Sequence, residues 1–143
     1  MTTAHQLTAY LASHRARPFD WRRANCCHFA AGWVCAATGR NPMQGLPATP
    51  SAKSALRLVR KLGGSLQAAW TACLGREPIP PASAQVGDLV LVPTVPTVQA
   101  PGVGAAVGIC VGGTVVLAGD AGGHLYLPLS AATAAWRLRG DDQ

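Results

Sequence analysis

The residues best suited to chemistry lie in one stretch, Pro18-Phe19-Asp20-Trp21-Arg22-Arg23-Ala24-Asn25-Cys26-Cys27-His28-Phe29-Ala30. An aromatic-rich loop runs into a cysteine pair at the start of a helix predicted over residues 25–38. Unpaired backbone N–H groups at a helix N-terminus carry partial positive charge. That position lowers a thiol's pKa and favours the thiolate, the form that attacks carbonyl carbon. Cys26 is better placed for this than Cys27, and Phe19, Trp21, Asn25, Cys27 and Trp33 are the candidate lining of a groove beside it. The chemistry would be covalent attack on an amide or ester.

A nucleophilic cysteine needs a base, and the four histidines differ in what they offer. His28 is two residues from Cys26, about 200° around a helix, and points elsewhere. His5 and His14 lie on or beside a first helix with no cysteine near them in sequence. His124 follows Gly122-Gly123 at the start of a strand, where a loop or surface role is the first reading and a base approaching Cys26 from a neighbouring position is the alternative. No metal site is expected, because Cys26, Cys27 and His28 are consecutive and diverge by about 100° each on a helix. Cys35 and Cys73 sit in apolar helical patterns and Cys110 in an apolar strand, and all three read as small core hydrophobes. Gly112-Gly113 and Gly119-Asp120-Ala121-Gly122-Gly123 are turns that do not pass from a strand into a helix, so neither is a phosphate loop and no cofactor is implied.

The elements that must position these groups are helical in the first half of the chain and extended in the second, an α+β pattern. Leu7, Tyr10 and Leu11 give residues 3–14 helical spacing, and Phe29, Ala30, Trp33, Val34 and Ala37 form the buried face of the helix over 25–38, closed by Gly39. A third helix opens at Pro50-Ser51 and carries the cleanest amphipathic stripe, Ala52, Ala55, Leu56, Val59 and Leu62, opposite Lys53, Arg57, Arg60 and Lys61. A fourth runs from Ser65 to Leu74 and stops at Gly75. Glu77-Pro78-Ile79-Pro80-Pro81 reads as a rigid connector between the halves. Strands are expected at 88–92, 106–111, 114–118 and 124–128, with Gly112-Gly113 as a hairpin turn, and a short helical turn and a strand containing Trp136 complete the chain.

Bulk properties set the class. The chain has 143 residues, 49% hydrophobic and 13% charged, which fits a single apolar domain over 1–143. The net charge of +6 comes from 12 basic and 6 acidic residues, but the basic residues come in twos and threes without interleaved aromatics. Nucleic acid is therefore not an expected partner. Five cysteines in no repeating pattern fit synthesis in a reducing cytoplasm. The N-terminal residues show no signal-peptide pattern, and no run approaches the ~20 apolar residues of a membrane span.

Taken in order, three blocks resemble NlpC/P60 domains, a papain-like group of cysteine peptidases. Pro18, Phe19, Trp21 and Cys26 match the family's opening block, Gly87-Asp88-Leu89-Val90 its G-D-L-V strand, and Val107-Gly108-Ile109 its V-G-I strand. The double cysteine and Ala134-Ala135-Trp136-Arg137 look like a small family among phage and prophage tail genes. The resemblance implies a papain-like fold with N-terminal helices packed on a C-terminal antiparallel sheet. It also implies a histidine before V-G-I as general base and a second polar residue on the next strand to orient it. This chain has Ala106 and Ala118 at those positions, Asn25 in place of the family's Asp and Arg22 in place of its Gly. Alanine can neither take the thiol proton nor orient an imidazole.

The expectation is therefore a catalytically degenerate domain serving in a phage tail tip or tail assembly. It would be made in the host cytoplasm and carried on the virion, with tail or baseplate proteins and peptidoglycan as candidate partners. The rival is a thiol peptidase or amidase cutting peptidoglycan peptides, with Cys26 as nucleophile and His124 or His14 as base. An acyltransferase or thioester-forming module is a third reading.

Overall fold

The computed structural model describes residues 3–14, 26–45, 52–93, 105–118 and 124–138. Within them the chain forms four helices, α1 (Thr3–His14), α2 (Cys26–Thr38), α3 (Ala52–Lys61) and α4 (Leu66–Leu74). The strands that follow are β1 (Leu89–Pro93), β2 (Ala105–Cys110), β3 (Thr114–Ala118), β4 (His124–Pro128) and β5 (Ala134–Trp136). All strand pairs are antiparallel, in the order β4-β3-β2-β1-β5. β2 and β3 are joined by the two-glycine hairpin, with the Val111 N–H donating to Thr114 O at 2.8 Å. β5 instead crosses back to pair with β1, setting Leu89 opposite Trp136.

β1 reads Leu-Val-Leu-Val and is buried at all four positions because both faces of the sheet are covered. Leu89, Leu91, Val107, Ile109 and Val116 join Phe29, Trp33 and Leu7 in the core under the helices. Val90, Val92, Cys110, Val115 and Leu117 build a second cluster on the opposite face with Ile79 and Leu129. The Glu77–Pro81 segment is more than the connector expected from its prolines. Ile79 and Ala135 exchange backbone hydrogen bonds of 2.7 and 3.1 Å, so the segment lies along β5.

α2 is apolar around most of its surface, as a helix held between α1 and the sheet must be. Gly32 lets α1 approach, since a Cβ there would collide with the Tyr10 hydroxyl, which donates to Phe29 O at 2.6 Å. α4 is closed at both ends as its sequence requires. Ser65 Oγ accepts from the Ala68 N–H, and Gly75, at φ 67°, ends the helix in the left-handed conformation. The Trp136 indole N–H donates to Thr71 Oγ1 at 3.1 Å and ties β5 to α4. On α3 the described side chains follow the amphipathic pattern, with Val59 half-buried against the core and Arg57, Arg60 and Lys61 exposed.

Candidate functional site

Cys26 is the first residue of α2, as the sequence leads one to expect. Of Cys26, Cys27 and His28 only the backbone is described, while Phe19, Trp21 and Asn25 lie outside the described residues. The next turn is fixed from three sides. Phe29 and Ala30 are fully buried, and Phe29 and Trp33 each lie 5.8 Å from the Tyr10 ring centroid. Trp33, expected to line a groove, is wholly buried instead, and its indole N–H donates to Gly87 O at 2.7 Å. A large apolar ring with one N–H finds its best position where that donor meets a buried carbonyl, and the turn before β1 supplies one.

His124 opens β4 opposite Ala118 of β3. Its ring stands 5.4 Å from that of Phe29 and 6.5 Å, edge-on, from that of Tyr126, and both ring nitrogens are buried. The surface or loop role set against it from sequence is thus corrected. The imidazole is half-buried on a strand and packs on α2 three residues beyond Cys26. His5, by contrast, is an exposed residue of α1.

The alanines at the start of β2 fall on different faces. Ala106, opposite Val92, packs with the cluster on the far side of the sheet, and Ala105, opposite Pro93, packs under the helices. The position of this pair that faces the helix layer is therefore Ala105. The methyl group there offers no proton acceptor, so His124 is the imidazole that the described structure brings to α2.

A second polar cluster was not singled out from sequence beyond its motif. Asp88, the buried charged residue among those described, receives the Gln85 N–H at 2.9 Å and the Leu138 N–H at 3.3 Å, with Arg137 Nε 3.6 Å away. Arg137 also donates to Ser83 O at 2.8 Å. These contacts bind the turn before β1 to the end of β5, a structural clasp. Its signal in the sequence is an acid placed directly before an apolar strand.

The remaining thiols divide by location. Cys35, expected in the core, is exposed on α2, because the helix's buried arc is taken by Phe29, Ala30, Trp33 and Val34. Cys73 is half-buried and Cys110 buried, with Cys110 Sγ donating to Gly112 O at 3.2 Å. Burial raises both thiol pKa values above the ordinary 9.0, so both are neutral thiols near pH 7. Among the described residues no three His, Cys, Asp or Glu side chains converge as a metal site, and no helix is long and apolar enough to cross a membrane.

These elements define an α+β domain in which helices pack on a five-stranded antiparallel sheet, with a cysteine at the start of the central helix. The chain belongs to the family described as Domain of unknown function (DUF6950), whose model matches residues 2–138. No curated protein matches it. Among solved structures it is similar to RipD from Mycobacterium tuberculosis, described as a non-catalytic NlpC/p60 domain protein with an adaptation to peptidoglycan-binding function. The identity is 14%, over 96% of this chain and 98% of that one, with a TM-score of 0.43.

Proposed function

We propose that the chain is a single, catalytically degenerate NlpC/P60-like domain, acting as a binding or structural component of a phage tail tip or tail assembly. The observation that carries the reading is the opening of β2. Ala106 stands where the resemblance calls for the general base, with Ala105 before it on the helix side, and neither can accept a proton from Cys26. A papain-like shell without its base can persist as a contact surface, since fold does not dictate activity. On this reading the protein is made in the bacterial host cytoplasm and ends on the virion tail, beside tail or baseplate proteins and in reach of peptidoglycan. Mass spectrometry of purified particles of the encoding phage tests this. The chain is expected in the tail fraction at fixed stoichiometry, and its absence from particles contradicts the proposal.

One observation favours the peptidase or amidase reading, namely the His124 ring on Phe29, close in sequence to Cys26. If His124 served as base, Cys26 would hold a thiolate population near neutrality that His124→Ala removes. Iodoacetamide labelling of Cys26 against pH, read by peptide mapping, separates the two. Degeneracy predicts a profile at or above that of free cysteine, unchanged by His124→Ala.

A further inference from the structure

A cleft of about 320 Å³ lies at the far end of α2 from Cys26, about 18 Å along the helix axis. Two helices end at it in the same way. α2 gives way to Gly39 (φ 81°), whose N–H returns to Cys35 O at 2.8 Å, and α4 to Gly75 (φ 67°), whose N–H returns to Thr71 O at 2.9 Å. A left-handed residue turns the chain sharply after a helix, and in both cases the next residue is arginine. Arg40 and Arg76 therefore come to the rim of one cleft, whose walls include Val34, Ala37, Leu74 and Leu138.

The described residues of the cleft carry charge of one sign. Among the described residues no Asp or Glu lines the cleft, and Asp88, the buried acid among them, lies 3.6 Å from Arg137 rather than at the cleft. Arg76 is held in place by donating through Nη1 to Arg137 O at 2.9 Å, which leaves its other N–H groups available. The Cys73 thiol in the wall is neutral, its pKa raised by burial, and adds no opposing charge. Partly negative carbonyls at the two helix ends account for the favourable placement of a cation at each. They do not account for a cleft that both cations line, with Val34, Leu74 and Leu138 among its walls.

The geometry points to a binding site for a small organic carboxylate with an apolar body, either a free acid or the C-terminal end of a short peptide. Guanidinium forks match a carboxylate in two-bond geometry, and the Val34, Ala37 and Leu138 side chains of the wall take the attached carbon. The cleft's size is at the lower end of small-molecule sites.

Isothermal titration of the full chain with N-acetyl-alanyl-alanine, its C-terminal amide, isovalerate and inorganic phosphate tests the assignment. At least one carboxylate binds, and the peptide amide binds about tenfold more weakly than the peptide acid if peptide ends are the ligand. Arg40→Ala, at an exposed position, weakens binding of the acid about tenfold while leaving the melting temperature unchanged. Arg76→Lys keeps the charge but not the fork and weakens it by a smaller factor. Arg57→Ala, on the exposed side of α3, has no effect. Preference for isovalerate over the peptide acid identifies a free acid as the source, and the reverse identifies peptide ends. Absence of binding by both carboxylates, acid binding indifferent to Arg40→Ala, or phosphate binding more tightly than either carboxylate overturns the inference.

Discussion

Asp88 Oδ2 lies 3.6 Å from Arg137 Nε, a pair that joins the turn before β1 to the end of β5 across 49 positions of sequence. The carboxylate is nearly buried and also receives two backbone N–H groups, whereas the guanidinium is partly solvated. Its worth therefore lies more in the backbone bonds than in the ion pair. Asp88→Ala, which strands both N–H groups, is expected to cost about 3 kcal/mol in urea unfolding, and Arg137→Ala about 1 kcal/mol. Equal costs for the two would show that the ion pair dominates.

The contact between α1 and α2 rests on a fit between Gly32 and Tyr10. Gly32→Ala forces the tyrosine hydroxyl away from Phe29 O and is expected to destabilise the fold by about 2 kcal/mol. Tyr10→Phe alone loses one hydrogen bond, about 1 kcal/mol. The two substitutions together should cost less than their sum, because removing the hydroxyl makes room for the methyl group. Strict additivity in a double-mutant cycle would contradict this packing.

Thiol reactivity should follow burial. Of the three thiols whose burial is described, Cys35 is exposed and is expected to react first with iodoacetamide, ahead of Cys73, with Cys110 last. Because burial raises the Cys73 and Cys110 pKa values, the folded state holds their protons to higher pH than the unfolded chain does. Their contribution to stability is therefore complete below about pH 9, the unfolded value, and declines as pH rises through the folded values. Urea midpoints between pH 8 and 10.5 should fall more steeply for the native chain than for Cys73→Ala/Cys110→Ala.

Most of the framework was legible from local patterns, and the exceptions have physical reasons. The bounds of β3 and β4 match their apolar runs, and Ser65 and Gly75 mark the two ends of α4, because strand runs and caps are encoded within a few residues. Trp33 and a groove-lining tryptophan look alike in sequence, and only the Gly87 carbonyl, 54 positions away, distinguishes them. His124 after two glycines reads as a loop residue until the Phe29 ring is brought against it. The face occupied by Ala106 depends on strand register, where a shift of one residue reverses inside and outside. The amphipathic pattern of α3 marks a helix, and its described residues keep the two faces, Val59 toward the core and Arg57, Arg60 and Lys61 exposed.

On the proposed function, Cys26 begins α2 without an oriented base and the domain does not cleave. The most direct test is incubation of the purified chain with peptidoglycan sacculi beside Cys26→Ala, with soluble muropeptides measured by liquid chromatography and mass spectrometry. No release above buffer is expected from either protein. Release by the native chain that disappears in Cys26→Ala would contradict the proposed function.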